Sequence, residues 1–328
     1  MKAAVIRKFG GPEVLEVLDV PQPEPQRGEV LVRVHASGLN RADLLQRQGK
    51  YPPPAGAPQE IPGMEFAGEV AKCGDAATAW KPGQRVFGVV AAGAHAEYLV
   101  THERALAEAP RELAWAQAGG IPEAFITAHD AMWKQAELRL GESVLVHAVG
   151  SGVGLAAVQL ARTMNANVYG TSRTQSKLDE AAKYGMNGGL LLKNDLAALS
   201  DFAKKVTGGK GFDVVLDLAG GPYVGASVAA MAAKGRILLI GTVAGAETQL
   251  NLGQMLFKRV RMVGTVLRAR PLEEKIQVTQ AFAKEVVPLF ASGVLKVVID
   301  AEFPLDNIQD AHRRLESNET FGKVVLTM

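Results

Sequence analysis

One segment constrains the fold of this chain more than any other. Residues 143–161, SVLVHAVGSGVGLAAVQLA, pass from an apolar run through a glycine-rich turn into a second apolar run. The first run predicts a buried strand and the second a helix. Gly150, Gly152 and Gly154 would let backbone N–H groups approach a pyrophosphate at the positive end of that helix. The segment therefore predicts a dinucleotide-binding turn, although its glycine spacing departs from G-x-G-x-x-G.

The region around this turn alternates between short apolar runs and helix-length segments. The predicted strands are Ser143–Ala148, Ala166–Thr171, Leu190–Leu192, Asp213–Leu218, Arg236–Gly241 and Arg261–Val266. The predicted helices between them include Val153–Met164, Gln175–Tyr184 and Tyr223–Ala233. Strands joined by crossover helices form parallel sheets, so we expect a doubly wound domain with a six-stranded parallel sheet.

The N-terminal region has a different sequence pattern, in which short β-branched runs are separated by Pro and Gly. Such runs predict a barrel or sandwich of short strands over residues 1–122. The last part of the chain predicts one long helix at Leu272–Ser292, a strand at Leu295–Phe303, a helix at Leu305–Ser317 and a strand at Lys323–Thr327. This αβαβ ending is too small to fold alone, so we expect it to pack on the N-terminal domain.

The end of the second predicted strand bears on the choice of dinucleotide. A site for NAD usually carries Asp or Glu there, which binds the ribose 2′-hydroxyl. Residues 170–177 contain no acid and instead carry Ser172, Arg173 and Lys177. Two cations and a hydroxyl favour a 2′-phosphate, so we expect NADPH rather than NADH. The alternative is an ordinary solvated basic turn.

Composition excludes several other classes of protein. Lys and Arg exceed Asp and Glu by only 36 − 34 = 2, which gives no electrostatic support for a nucleic-acid partner. The single cysteine, Cys73, excludes an internal disulfide and a cysteine-based zinc cluster. No signal peptide and no apolar run of about 20 residues is found, so we expect no membrane association and a cytoplasmic location. His35, His95 and His147 lack metal-ligand spacing and are expected in core or turn positions with their hydrogen bonds satisfied.

Further motifs indicate a family. They are VHASGLNRAD at 34–43, PGMEFAG at 62–68, the turn at 150–154, LFKR at 256–259 with LRAR at 267–270, and GKVVL at 322–326. With these motifs the chain resembles, over nearly its whole length, the zinc-independent, zeta-crystallin-like quinone oxidoreductases of the medium-chain dehydrogenase/reductase superfamily. The resemblance implies an α/β protein with a GroES-like β-barrel catalytic domain at 1–122 and 267–328. It also implies a Rossmann NADPH-binding domain at 123–266.

The resemblance implies hydride transfer from NADPH to a quinone, without a metal, in a cleft between the two domains. The catalytic candidates are Asn40, Tyr51 and Ser151. The candidate cofactor-binding residues are Asn40, Thr127, Gly150, Ser151, Gly152, Val153, Gly154, Ser172, Arg173, Lys177, Gly241, Thr242, Val266, Leu267 and Lys323. Four of these residues could instead have purely structural roles: Ser151 as a helix N-cap, Tyr51 as an exposed loop aromatic, Asn40 as a turn residue and Thr127 as a helix-packing residue.

Zinc-containing relatives place metal ligands at positions that match Asn40, Met64 and Glu123. One carboxylate with a thioether and an amide is a poor donor set for catalytic zinc, so we predict no metal. Glu65, beside Met64, is expected to hold loops together.

Two other activities remain open. The same frame also resembles NADPH-dependent reductases of activated C=C bonds, such as 2-alkenals or enoyl thioesters. It also resembles non-enzymatic, crystallin-like proteins that bind NADPH. We further expect a homodimer, because the predicted edge strand Arg261–Val266 offers unpaired backbone to a second copy. The cluster Arg259, Arg261, Arg268 and Arg270 is interpreted as a cofactor edge or a subunit contact.

Overall fold

The structure is a computed structural model that describes all 328 residues. Its contacts divide the chain into two compact units. The first unit combines residues 1–126 with residues 267–328, and the second consists of residues 127–266. The domain boundaries 122/123 and 266/267 stay a prediction. No helix combines the length and the apolar character that a membrane span requires.

The N-terminal part of the first unit consists mainly of strands. Its elements are β1 (Lys2–Ile6), β2 (Leu15–Asp19), β3 (Glu29–Gly38), α1 (Arg41–Arg47), β4 (Glu65–Cys73), β5 (Arg85–Val89), β6 (Tyr98–His102), β7 (Leu106–Glu108), α2 (Trp115–Gly119) and α3 (Pro122–His129). Strands β1 and β2 form an antiparallel pair of their own. Strand β3 pairs antiparallel with both β4 and β6, and β4 pairs antiparallel with β5.

Residues of alternating strand positions build the core of this sheet. Val30, Val32 and Val34 of β3 are buried together with Phe66 of β4 and Val86 of β5. Alternation places them on one face of the sheet, because successive side chains in a strand point to opposite faces. The short β-branched runs of this region thus form strands, as the sequence predicts.

The second unit contains the parallel sheet. After α3, a π-helical segment (Asp130–Gln135) leads into β8 (Ser143–Val146), α4 (Gly152–Thr163), β9 (Asn167–Ser172), α5 (Gln175–Ala182), β10 (Gly188–Leu191), α6 (Ala198–Val206), β11 (Phe212–Asp217), α7 (Pro222–Ala230), β12 (Met231–Leu239), α8 (Leu252–Lys258) and β13 (Arg261–Gly264). All neighbouring strands are parallel, in the order β10-β9-β8-β11-β12-β13. The order reverses direction at β8, so the predicted doubly wound, six-stranded parallel sheet is confirmed.

One boundary in this unit differs from the sequence prediction. Helix α7 ends at Ala230, whereas the apolar pattern extends it to Ala233. Met231 already pairs with Phe212 of β11, and the register then shifts before Arg236 pairs with Val214. Lys234 lies at the shift with a φ of +62°. Strand β12 thus begins five residues earlier than predicted, because pairing with its neighbour overrides the local helix pattern.

The chain then returns to the first unit. Its last elements are α9 (Leu272–Glu285), α10 (Val287–Ala291), β14 (Ile299–Pro304), α11 (Ile308–Glu316) and β15 (Lys323–Thr327). Strand β15 pairs antiparallel with β3 and parallel with β14, so the tail completes the sheet of the first unit, as expected. The single helix predicted at Leu272–Ser292 is wrong. It breaks at Val286, because Pro288 cannot donate a backbone hydrogen bond to the preceding turn.

Candidate functional site

The glycine-rich turn of the second unit joins β8 to α4. His147 N–H donates to the Leu216 carbonyl of β11 at 3.0 Å, and Val149 N–H donates to the Thr171 carbonyl of β9 at 3.0 Å. The turn therefore lies where the strand order reverses, at the carboxyl ends of the strands. In open parallel sheets this is the position at which nucleotides bind.

Helix α4 begins with groups that suit an anion. Ser151 is its N-cap, and the Ser151 hydroxyl oxygen accepts the Gly154 N–H at 3.1 Å. The N–H groups of Gly152 and Val153 lie in the first turn, where no acceptor exists within the helix. Both residues are only half-buried. The turn can thus present two backbone donors and a hydroxyl to a phosphate group, with the helix dipole behind them.

Close packing beneath the turn requires glycine at one position in particular. A Cβ atom at Gly154 would lie 2.6 Å from the Val149 carbonyl oxygen and 2.8 Å from that of Ala148. The helix can approach the strand this closely only because residue 154 has no side chain. Such a strand–turn–helix is a cradle that fits a pyrophosphate.

The end of β9 carries the candidate 2′-phosphate contacts. Ser172 is the last residue of β9, and its hydroxyl oxygen accepts the Thr174 N–H at 3.1 Å. Arg173 is exposed, and Lys177 lies in the first turn of α5. The first acid after the strand is Asp179, whose carboxylate accepts from Gln175 at 2.8 Å. Residues 173–178 themselves thus contain no acidic residue.

The turns after β11 and β12 complete this edge of the sheet. Asp217, at the end of β11, accepts the Gly220 N–H at 2.8 Å, and Gly241 follows β12. A Cβ atom at Gly220 would lie 2.7 Å from the Thr242 Cα atom, so these two turns pack backbone to backbone. Gly241 and Thr242 therefore lie near the carboxyl ends of the strands, as predicted. Their contact with a cofactor stays a prediction.

Three other predicted cofactor residues lie in sequence next to the points where the chain crosses from one unit to the other, at 126/127 and 266/267. Thr127 is the sixth residue of α3, which begins at Pro122. Val266 is 53% exposed, and the next residue, Leu267, is buried. Each contact with a cofactor stays a prediction.

In the first unit the structure joins Asn40 to Lys323. The Lys323 ammonium, which is buried, donates to the Asn40 Oδ1 at 2.7 Å, to the Leu39 carbonyl at 2.9 Å and to the Glu65 Oε1 at 2.5 Å. Asn40 Nδ2 also donates to Glu65 Oε1, at 2.9 Å. The three protons of Lys323 are thus engaged inside this unit. These three hydrogen bonds account for the buried ammonium of Lys323 without a cofactor. The predicted contact between Lys323 and a cofactor stays a prediction.

Glu65 is the centre of this cluster. It is fully buried, and its second oxygen, Oε2, accepts the Glu123 N–H at the start of α3 at 2.8 Å. A Cβ atom at Gly38 would collide with the Glu65 carboxylate, so glycine is required there. The expected loop-holding role of Glu65 agrees with these contacts, which join β3, α3 and β15.

The same cluster does not suit a zinc ion. Of the three positions that match zinc ligands in relatives, Asn40 is already bound by an ammonium and a carboxylate, and Met64 offers a buried thioether. The structure assembles no group of three or more His, Cys, Asp or Glu side chains that could hold a metal ion. A cation is instead supplied by Lys323, whose charge balances that of Glu65. These donors do not fit catalytic zinc.

A second cluster surrounds Tyr51. Arg268 is buried, and its guanidinium donates to the Tyr51 carbonyl at 3.0 Å, to the Ala91 carbonyl at 2.6 Å and to the Gln46 side chain. The guanidinium carbon lies 5.1 Å from the centre of the Tyr51 ring. Tyr51 is half-buried and not the exposed loop aromatic that sequence alone allowed. Burial raises the pKa of its phenol, more than Arg268 lowers it.

Glu123 belongs to both clusters. Burial, together with the negative charge of Glu65, raises the pKa of the Glu123 carboxyl to about 8, although Lys323 acts in the opposite direction. The same carboxyl is close enough to Tyr51 and to Lys275 to influence their pKa values. Lys275 lies in α9, and burial lowers its pKa.

The sequence did not reveal the contacts of Arg268, the burial of Lys275 or the raised pKa of Glu123. Arg268 was interpreted as a cofactor edge or a subunit contact. It is instead bonded inside the first unit, because the chain enters that unit again at Leu267. In the sequence, Arg268 could be noticed only from its position in the LRAR motif. Glu123 could be noticed only as the counterpart of a zinc ligand.

Comparisons with known proteins agree with this architecture. Residues 26–137 match the family model of the alcohol dehydrogenase GroES-like domain, and residues 195–326 match the model of the zinc-binding dehydrogenases. The chain is 30% identical to human quinone oxidoreductase over 333 residues, which cover 100% of this chain and 98% of that protein.

Two solved structures are similar over the whole chain. The quinone oxidoreductase of Escherichia coli, crystallised with NADPH, has a TM-score of 0.89 and 30% identity, with 100% of both chains covered. A mycobacterial protein in complex with NADPH has a TM-score of 0.90 and 28% identity, also with 100% of both chains covered.

Proposed function

Since this chain belongs to the medium-chain dehydrogenase/reductase superfamily, we propose that it is an NADPH-dependent quinone reductase that works without a metal ion. The observation that carries this proposal is the strand–turn–helix at 143–163, with a basic strand end beside it in the same parallel sheet. The relatives named as quinone oxidoreductases, one of them crystallised with NADPH, support the same activity.

The residues that would hold NADPH are those of the second unit. Gly152 and Val153 offer backbone N–H groups to the pyrophosphate, and Ser151 offers its hydroxyl proton while its oxygen caps the helix. Arg173, Lys177 and Ser172 would bind the 2′-phosphate, since a phosphate dianion is stabilised by charge-assisted hydrogen bonds. Nothing acidic opposes it between Gly170 and Lys177.

Bound NADPH supplies a hydride, and the protein supplies position and charge. A quinone is electron-poor, so it needs no Lewis acid to accept a hydride. Tyr51 offers an aromatic face for a quinone ring. The Arg268 guanidinium holds Tyr51 in place, because it donates to the Tyr51 carbonyl and lies over the Tyr51 ring. Asn40 is held by Lys323 and Glu65, so its amide keeps one orientation. Such preorganised positioning can supply much of the rate enhancement.

The test is NADPH oxidation with a 1,2-quinone, a 1,4-quinone and a 2-alkenal as separate acceptors. We expect turnover with at least one quinone, a strong preference for NADPH over NADH, and unchanged rates after extensive treatment with a chelator. Turnover of the alkenal alone would replace this proposal with reduction of activated C=C bonds. NADPH binding without turnover of any acceptor would favour a crystallin-like binding protein. Stoichiometric zinc whose removal abolishes turnover would contradict the metal-free part.

A further inference from the structure

Thr171, one residue before the end of β9, is bonded twice to the glycine-rich turn that follows β8. Its backbone carbonyl accepts the Val149 N–H at 3.0 Å. Its hydroxyl oxygen lies 2.8 Å from His147 Nδ1. Both bonds lie inside the second unit, and the side chains of His147 and Thr171 are buried. The turn and the end of β9 are therefore joined at a single residue, through its backbone and through its side chain.

The other side of the His147 ring is fixed as well. Its Nε2 atom lies 2.9 Å from the Ser227 Oγ of α7, and Ser227 is also buried. Burial lowers the pKa of His147 to about 4, so the ring is neutral near pH 7. A neutral imidazole has one N–H donor and one acceptor, and a hydroxyl can serve as either, so both bonds form at once. The ring is thus held between two hydroxyls and keeps one orientation.

The residue between His147 and Val149 has a strained backbone. Ala148 has a φ of +50°, in the left-handed region that residues with a Cβ atom rarely adopt. Such a conformation persists only where the surrounding contacts impose it. Both chain neighbours of Ala148 bond to Thr171, one through its side chain and the other through its backbone N–H. These two bonds therefore hold the turn in a shape that its own backbone disfavours.

The two ends of this link belong to different parts of the proposed NADPH site. The turn leads into Ser151 and helix α4, where the pyrophosphate would bind. Ser172 follows Thr171 directly and begins the segment where the 2′-phosphate would bind. A ligand that uses two subsites gains affinity only where their spacing matches its own. A fixed spacing between the turn and the end of β9 therefore favours a cofactor that carries both groups.

From these contacts we infer that His147 is a positioning residue for NADPH, which sets the spacing between the glycine-rich turn and the end of β9 through its bond to Thr171. The inference rests on the proposed function, in particular on the assignment of residues 172–177 to the 2′-phosphate. His147 is fully buried and acts through Thr171, not by contact with the cofactor. Arg173 and Lys177 supply the charge, and His147 sets where that charge lies relative to the turn.

The test compares Thr171→Val with Thr171→Ser and with the wild type. Valine keeps the shape of threonine but lacks the hydroxyl that bonds His147, whereas serine keeps the hydroxyl. Titration calorimetry measures the Kd for NADPH and for NADH. We expect Thr171→Val to weaken NADPH binding about tenfold, a part of the gain that linked binding supplies. NADH binding should stay within twofold, and Thr171→Ser should keep the wild-type preference for NADPH.

Smaller probes separate the spacing from the two subsites themselves. The nucleotide 2′-AMP carries only the phosphate for the end of β9, 5′-AMP carries only a phosphate for the turn, and 2′,5′-ADP carries both. In Thr171→Val we expect 2′,5′-ADP to lose about as much affinity as NADPH, while each monophosphate binds as to the wild type. An equal loss for 2′-AMP would mean that the end of β9 itself is damaged, and would overturn the inference.

A second variant breaks the same bond from the other side. In His147→Gln the amide can take the place of Nε2 and bond Ser227, but the bond from Nδ1 to Thr171 is lost. The same selective, about tenfold loss of NADPH affinity is expected. Thr207→Val is the matched control, because it removes a half-buried hydroxyl with two backbone hydrogen bonds between α6 and β11. It should lower stability and leave the Kd of both cofactors within twofold.

The outcomes separate this inference from the proposed function. A wild type that prefers NADPH, together with folded Thr171→Val and His147→Gln variants of unchanged preference, would overturn the inference alone. Equal losses for NADPH and NADH in these variants would also overturn it, since the link would then have only a structural role. A wild type that binds NADPH and NADH equally would overturn the 2′-phosphate assignment and this inference together. Should Thr171→Val fail to fold, His147→Gln decides by the same criteria.

Discussion

The Lys323 ammonium lies 2.5 Å from Glu65 Oε1, and both side chains are buried in the first unit. Lys323 begins β15 near the end of the chain, and Glu65 begins β4, 258 residues earlier. A buried ion pair thus joins the returning tail to the N-terminal sheet.

Replacing Lys323 by Met should destabilise the protein strongly. Loss of one partner leaves the Glu65 carboxylate buried without its cation, which typically costs about 3–5 kcal/mol. The double variant Lys323→Met with Glu65→Gln should recover a large part of that loss, because no uncompensated charge remains. Urea denaturation measures both, with Lys284→Met on the exposed face of α9 as a control expected within about 0.5 kcal/mol of the wild type. Equal instability of the single and double variants would contradict the pair.

Arg173 and Lys177 should determine the preference for NADPH. Each charge-assisted hydrogen bond to a phosphate contributes about 1.5–3 kcal/mol, so each alanine variant should weaken NADPH binding about 10- to 100-fold. NADH affinity should hardly change, because that cofactor lacks the 2′-phosphate. Titration calorimetry with both cofactors checks this, with Lys183→Ala as a control, since Lys183 pairs with Glu180 on the surface of α5. Equal losses for NADH and NADPH would count against the assignment.

His147 should make the protein sensitive to acid. Burial lowers its pKa from 6.5 to about 4, more than Asp217 raises it, while its ring bonds Thr171 at 2.8 Å and Ser227 at 2.9 Å. The unfolded chain therefore takes up a proton below about pH 6.5 that the folded protein refuses until about pH 4. Above about pH 6.5 His147 is neutral in both states and does not lower the free energy of unfolding. As the pH falls from 6.5 to 4, the difference in proton uptake lowers the free energy of unfolding by about 3 kcal/mol.

The check compares unfolding of the wild type and of His147→Gln at several pH values. The variant should be less stable at neutral pH, because two buried hydrogen bonds are altered, but its stability should fall less on acidification. Some pH dependence should remain, since burial also lowers the pKa values of His95 and His312. Parallel pH curves for the two proteins would show that His147 does not carry this effect.

The outer edge of the parallel sheet should form a homodimer, as the sequence predicts. Strand β13 has a partner only on the β12 side, and the preceding helix exposes Leu256 by 80% and Phe257 by 85%. Unpaired edge backbone beside exposed apolar side chains favours pairing with a second copy. Sedimentation should find a dimer at micromolar concentration, and Leu256→Glu with Phe257→Glu should yield a folded monomer. A monomeric wild type would contradict the prediction.

The parallel sheet could be predicted from sequence because its signals are local. The run from Ser143 to Ala161 contains strand, turn and helix in sequence, and its elements appear within two residues of their predicted bounds. Register with a neighbouring strand moved the start of β12 to Met231, and a proline divided the helix predicted at Leu272–Ser292. Boundaries set by pairing partners are not visible in a local pattern.

The side-chain clusters were harder to predict, because long-range contacts build them. Arg268 contacts Tyr51 from 217 residues away, and no spacing rule relates the two. His95 was expected to have its hydrogen bonds satisfied, but both of its ring nitrogens are buried without a partner, so that expectation was wrong. His147, in contrast, has both partners as expected. Whether a buried ring finds a partner depends on residues that only the fold brings near.

A single-turnover experiment tests the central claim most directly. The protein is loaded with one equivalent of NADPH after treatment with a chelator and is then mixed with a quinone. The account predicts that the absorbance of the reduced nicotinamide disappears as one equivalent of hydroquinone forms, and that NADH supplied in the same way supports far less turnover. Retention of NADPH absorbance with every quinone tried, by a protein shown to be folded, would contradict it.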